Sequence, residues 1–201
     1  MQFDIYFVGV GGQGILTIGE ILAEAIRLEG VPVNFFPSKG MAQRGGFVKA
    51  QLRIGREQVG PNIPEKGADL VIAMELSEAL KAVRYVRPGG DFILLGDRWM
   101  PVPVILKKDS YPELEEIRAQ ILQAQCKLRY IDNQSLPTFE GRDISPNMYL
   151  LGFALQSTLL GELVGKERVI EVIRARWEKF ARINLFAFSA GMDAVPVEVQ
   201  R

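Results

Sequence analysis

Residues 5–10 form a short apolar run that ends in glycines, the pattern of a strand buried on both faces. Ile15, Ile18, Leu22 and Ala25 then recur at helical spacing, and Gly30 stands where such a helix would end. A second run at 31–36 predicts another strand. The chain therefore opens as strand, glycine-rich turn, helix, strand, and this predicts the start of a parallel α/β unit. Residues 47–54 alternate: Val48, Ala50, Leu52 and Ile54 share one face, and Lys49, Gln51 and Arg53 share the other. That predicts a half-buried strand with a basic, polar face.

Further buried strands are predicted at 69–73 and 92–95, with a short helix at 77–83 between them and a turn at Pro88-Gly89-Gly90. Residues 102–106 read as an edge strand, because Pro101 and Pro103 remove ladder donors. The segment 112–125 is an amphipathic helix with Leu114, Ile117 and Ile121 facing inward, and 127–131 is a last strand. Ser145-Pro146 suits a helix start, and the helix it opens is apolar on most sides through 148–164. Such a helix needs cover, from a partner or from the chain's own C-terminal helices. Another helix is predicted over 166–180, and the end of the chain is expected to fray from Val195. The fold class expected is α/β, a mainly parallel sheet of about six strands with helices on both faces and a helical C-terminal region. Residues 1–193 are expected to form a single domain, helical from about residue 145, with 194–201 as a tail.

Composition narrows the chemistry. The 201 residues carry 24 basic and 24 acidic side chains, no histidine and one cysteine, Cys126. Zero net charge argues against nucleic-acid binding. The absence of histidine removes Ser-His-Asp and Cys-His mechanisms and histidine-metal sites. One cysteine cannot form an internal disulfide or ligate an iron–sulfur cluster, and it suits a reducing cytoplasm. No metal site and no covalent catalyst are expected in this chain, and Cys126 reads as structural. The first residues lack the basic start of a signal peptide. Gln156, Ser157, Thr158 and Glu162 mark 148–164 as a buried helix rather than a membrane span.

Two glycine-rich segments carry the candidate chemistry. Gly9-Val10-Gly11-Gly12-Gln13-Gly14 lies after a strand and before a helix, where backbone N–H groups and the positive end of the helix suit a phosphate. A dinucleotide site would also need an acidic residue near the end of the second strand, and Val33-Asn34-Phe35-Phe36-Pro37 has none. Tight strand–helix packing, another phosphate-bearing ligand, or an interface built from the loop stay open. The second segment is Gly40-Met41-Ala42-Gln43-Arg44-Gly45-Gly46. Between Ser38 and Arg56 stand Lys39, Arg44, Lys49, Arg53 and Arg56 with no acidic residue. That is either a solvated basic surface or a patch for an anionic ligand or acidic partner. Glu75 and Asp97 follow strand ends, as caps or as groups facing a site, while Ser145 and Asn147 organise a helix start.

Together the two segments, with Arg53-Ile54-Gly55, the run from Ala68 to Glu75, the helix start at Asn147 and the run from Ile183 to Phe188, resemble the small (beta/gamma-type) subunit of the 2-oxoacid:ferredoxin oxidoreductases. The wording Met41-Ala42-Gln43-Arg44-Gly45-Gly46 is most similar to the beta-type subunit of the indolepyruvate branch. The chain departs from that pattern at Ser38-Lys39-Gly40 and at Phe47. The resemblance implies a Rossmann-like three-layer fold. It also implies a complex that oxidatively decarboxylates a 2-oxoacid such as indolepyruvate or another aryl-pyruvate, forms an acyl-CoA and reduces ferredoxin. Thiamine diphosphate and iron–sulfur clusters would sit on a large partner subunit, in an anaerobic cytoplasm, with no nucleic acid or membrane involved. Coenzyme A would be held here by Gly11, Gly12, Gln13 and Gly14, with Met41, Gln43, Arg44 and Gly45 of the second loop. The alternatives are a stand-alone nucleotide-binding protein and a structural subunit without a ligand.

Overall fold

The fold was analysed in a computed structural model that describes residues 1–39 and 46–199, and the side chains of all of these except Lys39, Val102 and Pro103. A six-stranded sheet runs in the order β2-β3-β1-β4-β5-β6. Its strands are β1 (Phe3–Val10), β2 (Val33–Lys39), β3 (Phe47–Ile54), β4 (Ala68–Ala73), β5 (Val86–Leu95) and β6 (Lys127–Ile131). β1, β4, β5 and β6 pair in parallel, and β3 pairs antiparallel with both β1 and β2. The sheet is thus mainly parallel. The predicted β–α–β opening needs correction in one respect: β3 is inserted between its two strands.

The period-2 alternation of the strands sorts the core into two halves. Phe3, Ile5, Phe7, Leu52, Ile72 and Ile93 face α1 (Ile15–Leu28) and the C-terminal helices. Tyr6, Val8, Val71, Phe92 and Leu94 face α2 (Leu76–Ala82) and a later helix over Leu114–Gln123. Three layers result. A short turn of 3₁₀ helix, Val83–Tyr85, follows α2, and the predicted turn at Pro88-Gly89-Gly90 is an irregularity inside β5.

Residues 102–106 are not an edge strand. Val104 and Ile105 donate their N–H groups to the Pro101 carbonyl, closing a single helical turn, α3 (Val102–Ile105). Prolines that cannot donate to a ladder fit the first turn of a helix equally well. The amphipathic helix is α4 (Leu114–Gln123). A small hairpin, β7 (Thr138–Phe139) with β8 (Arg142–Asp143), was not anticipated.

The long apolar helix is two helices, α5 (Pro146–Ser157) and α6 (Leu160–Leu163). The hydroxyls of Ser157 and Thr158 donate to the carbonyls of Phe153 and Ala154, and Thr158 Oγ1 then accepts from Leu160 N–H. Hydroxyls that compete for backbone groups break the ladder there. The predicted 166–180 helix stops at Arg176 as α7 (Lys166–Arg176), and α8 (Ala181–Asp193) follows. α8 supplies the cover α5 needs from within the chain. The two approach so closely that a methyl on Gly152 would lie 2.0 Å from the Phe188 carbonyl oxygen. The tail does not simply fray: Val199 N–H donates to Leu128 O at 2.8 Å, and Glu198 bridges to Arg129 on β6. No helix among the described residues is long and apolar enough to cross a membrane.

Candidate functional site

In an open α/β sheet, successive crossovers in opposite directions leave a crevice at the carboxyl ends of the strands. Here β1 leads away toward β2 and β4 lies on its other side, so the crevice falls between β1 and β4. The first glycine loop fills this place. Gln13 N–H closes a turn on the Val10 carbonyl at 3.3 Å, and Gly11 N–H donates to Gly46 O at 2.9 Å. Gly12 (φ 108°) and Gly14 (φ 76°) hold left-handed conformations that side chains rarely adopt. With Gly11 and Gln13 engaged, the N–H groups of Gly12 and Gly14 have no acceptor among the described residues. They lie at the positive end of α1, whose first turn carries no acidic residue.

The Gln13 side chain fixes the loop rather than projecting from it. Its Oε1 accepts from Val10 N–H at 2.9 Å. Its Nε2 donates to Met74 O and to Asp97 Oδ2, each at 2.7 Å. One amide thus ties the ends of β1, β4 and β5 together. From the opposite side, Asn147 at the start of α5 donates to Gly14 O at 3.2 Å. A cavity of about 390 Å³ lies between these elements, with Asp97, Trp99 and Ser145 also on its wall.

Glu75 and Asp97, equivalent in the sequence pattern, divide the two roles. Glu75 is wholly buried and caps α2, accepting from Glu78 N–H and Ser77 Oγ, each at 2.7 Å. Its other oxygen accepts from Trp99 N–H at 3.1 Å and from the Tyr111 hydroxyl. This buried carboxylate thereby pins Trp99 to the cleft. Burial, reinforced by the bond to Glu75, raises the Tyr111 hydroxyl well above the ordinary phenol pKa. Asp97 instead lines the cavity. Cys126 is buried on the far side of the sheet, its Sγ donating to Ile121 O at 3.4 Å.

Met41, Gln43, Arg44 and Gly45 lie outside the described residues. The basic surface expected around them is smaller than the sequence suggests. Arg53 and Arg56 both bind Asp4, at the opposite end of β1, and Arg53 also donates to the carbonyls of Gly60 and Asn62. Gln51, on the same face, accepts from Ile63 N–H. The 60s segment thus covers the face predicted to be polar and open. Asn34 lies at the amino end of β2, not at the carboxyl end where a dinucleotide site would carry an acid, and donates to Arg56 O at 2.9 Å. With β3 interposed, β2 lies two strand spacings, about 10 Å, from β1, too far to grip a ribose at the glycine loop.

The periodicity argument missed a second cavity, of about 330 Å³, next to the first and sharing Ser145 and Asn147 with it. Thr17, Trp177, Phe180 and Asn184 complete its wall. The one sequence signal was a polar Asn184 inside the apolar run 183–188. Among the described residues no three histidine, cysteine, aspartate or glutamate side chains gather as a metal site.

Residues 4–194 match the family model described as pyruvate ferredoxin/flavodoxin oxidoreductase. The chain is 34% identical over 196 residues to indolepyruvate oxidoreductase subunit IorB of Pyrococcus horikoshii, covering 96% of each chain. Its fold is like that of pyruvate oxidoreductase subunit PORC of Thermotoga maritima, with TM-score 0.70, 22% identity and 94% of each chain covered. It is also like part of 2-oxoglutarate:ferredoxin oxidoreductase from Magnetococcus marinus, solved with 2-oxoglutarate, coenzyme A and succinyl-CoA bound. There the TM-score is 0.65 at 20% identity, over 95% of this chain and 30% of that one.

Proposed function

Because this chain belongs to the pyruvate ferredoxin/flavodoxin oxidoreductase family, as a small subunit of a 2-oxoacid:ferredoxin oxidoreductase, we propose that it holds coenzyme A for a complex that oxidises indolepyruvate or another aryl-pyruvate and reduces ferredoxin. The observation that carries this reading is the cleft between β1 and β4. It offers the Gly12 and Gly14 amides, free of acceptors among the described residues, at the head of α1. Backbone donors backed by a helix dipole suit a phosphate, and coenzyme A carries several. Arg44, with Met41, Gln43 and Gly45 of the second glycine-rich segment, adds the positive charge that backbone amides lack.

The residues present do not fit the redox cofactors of such a complex. A single buried cysteine and no histidine give no ligand set for an iron–sulfur cluster, and no segment reads as a thiamine diphosphate site. In this reading those groups sit on a large partner in the cytoplasm. This chain's part is to position the acyl acceptor: Gln13 sets the loop, Glu75 holds Trp99 against the cleft, and Asn147 closes the loop from α5.

The test is the anaerobically assembled complex with Arg44→Ala and, separately, Gly12→Ala. A charge-assisted hydrogen bond contributes about 1.5–3 kcal/mol, so the KM for coenzyme A should rise about tenfold or more in Arg44→Ala, with a smaller change in kcat. An unchanged KM in both variants would mean a structural subunit without a ligand. A panel of 2-oxoacids tests the substrate: indolepyruvate should give the highest kcat/KM, and a preference for pyruvate or 2-oxoglutarate would overturn that assignment.

A further inference from the structure

A carboxylate inside the fold closes an excursion at its surface. One oxygen of the buried Glu75 accepts from Trp99 N–H at 3.1 Å and from the Tyr111 hydroxyl, so both ends of the segment 99–111 are held at one point. The Arg98 guanidinium, 5.5 Å from the centre of the Tyr111 ring, adds a second tie across the same base. Much of what lies between is apolar and exposed. Of the ten large hydrophobic residues exposed among the described residues, four fall here: Trp99, Met100, Ile105 and Leu106. Ile105 is 64% exposed and Leu106 57%. Single apolar residues scattered over a surface need no explanation, but a group of them on one pinned segment marks an interaction surface.

Charge describes the occupant. The stretch 98–108 carries Arg98, Lys107 and Lys108 and no acidic residue, in a chain of zero net charge. None of the three forms an ion pair among the described residues. A second copy of this chain matches poorly, because a two-fold contact through the segment would bring the lysines of both copies together. The surface that fits is apolar at its centre, acidic at its rim, and on a different chain. Position indicates which chain. Trp99, at the base of the excursion, is also part of the wall of the cavity that holds Gly12 and Gly14. This chain has no ligand set for a redox cluster, so the subunit that carries one has to face that cavity. A surface continuous with the cavity wall is where the two chains meet.

We propose that the segment 99–108, stapled at its base by Glu75, is the arm by which this chain docks on the large subunit of its complex. Ile105 in α3 and Leu106 directly after it are the apolar anchors, and Lys107 and Lys108 meet acidic side chains at the rim. Arm and cavity share Trp99, so docking also fixes that residue at the cavity wall. The proposal rests on the preceding reading of a large partner, and not on which acyl acceptor the cavity holds.

The test measures binding of the full chain to its large partner under anaerobic conditions. Ile105→Asp with Leu106→Asp should raise the Kd of assembly about a hundredfold, by placing charge where two anchors were. Lys107→Glu with Lys108→Glu should slow association about tenfold and weaken its dependence on salt, with a smaller change in dissociation. All four sites are exposed, so both double variants should keep the wild-type thermal midpoint. The lysine pair decides the matter if the apolar pair disturbs folding. Leu28→Ser, at another exposed apolar position, should leave assembly unchanged. Wild-type affinity in both double variants would overturn the arm and leave the large partner standing. An equal loss in Leu28→Ser would overturn the arm as well, since the effect would not belong to this segment. A wild-type chain that binds no large partner would overturn the preceding reading and the proposal together. Binding of the wild-type chain to vesicles of phosphatidylserine and phosphatidylcholine, lost in both double variants while assembly stays intact, would assign the segment to a membrane surface and overturn the proposal.

Discussion

At the amino end of the sheet, aspartates and arginines close every gap they open. Asp4 on β1 binds Arg53 and Arg56, its own N–H donates to Asp69, Asp69 binds Arg87, and Asp91 binds Arg129 across β5 and β6. At the carboxyl end, about 20 Å away along β1, the accounting does not close. Amides of Gly12 and Gly14, hydroxyls of Thr17 and Ser145 and the carboxamide of Asn184 lack acceptors or donors among the described residues. Both ends are polar, and both drew attention as possible sites. The difference shows that polar residues alike in the sequence are paired with one another at one end of the fold and left open at the other.

The largest effect that would sharpen this contrast is at the closed end. Asp4→Ala leaves Arg53, a buried guanidinium, and the half-buried Arg56 without their counter-ion. Breaking a buried pair from one side costs about 3–5 kcal/mol. The urea midpoint of the chain should fall accordingly, while the coenzyme A KM of complex that does assemble stays near wild type. A loss below about 1 kcal/mol would place this cluster with ordinary surface ion pairs and remove the contrast. Asp4→Asn, which keeps the shape and acceptor of the side chain, should recover part of the loss.

This contrast also shows what the sequence could and could not reveal. The strands, the glycine loop between β1 and α1, and the amphipathic α4 were legible because each is a local pattern of period 2, of period 3.6, or of glycines between the two. The fate of Arg53 and Arg56 was not, because Asp4 lies far from both in sequence and only the antiparallel insertion of β3 opposes Asp4 to Arg53. The same insertion removed the dinucleotide geometry that the glycine motif suggests. Pro101 and Pro103 excluded a central strand but did not distinguish an edge strand from a helical turn, since a missing N–H suits either. The second cavity needed α8 folded against α5, a contact no local pattern announces; Asn184 was visible only as a polar residue in an apolar run. The second glycine motif was fully legible as sequence, and its residues 40–45 lie outside those the structure describes.

A middle-sized effect should come from the open end. A methyl on Gly14 meets two obstacles: a φ of 76°, and Asn147 Nδ2 at 2.3 Å. A methyl on Gly12 meets only the first, with nothing within 4 Å. Gly14→Ala should cost about 2–3 kcal/mol through strain and the displaced Asn147. Gly12→Ala should cost about 1 kcal/mol, from strain alone. The informative quantity is the difference, measured as thermal midpoints of the two variants side by side. Equal losses would mean that Asn147 yields without cost and that α5 does not clamp the loop. A larger loss for Gly14→Ala, together with a raised coenzyme A KM, would show that the open end is held in shape by packing even though its amides are left unpaired.

The smallest effect is a pH response at the closed end, where Cys126 precedes β6. Burial pushes its thiol up to about 11, with the nearby carboxylates of Asp91 and Glu198 adding to the rise, against about 8.5 for a free cysteine. The native chain therefore keeps its thiol proton at a pH where the unfolded chain has lost it. Unfolding releases a proton between those two values, so stability is complete below about pH 8.5 and declines as pH rises toward about 11. By pH 9.5 the loss due to this group is on the order of 1 kcal/mol. It should disappear in Cys126→Ala once that variant is referred to its own stability at neutral pH. Alkylation of the native chain at pH 8 should likewise be slow and should accelerate on unfolding, because thiolate is the reactive form. Rapid labelling of the folded chain at pH 8, or a Cys126→Ala variant that keeps the same alkaline slope, would show that this end of the sheet is more open to solvent than its pairing implies. The two ends of β1 would then differ in charge and not in closure.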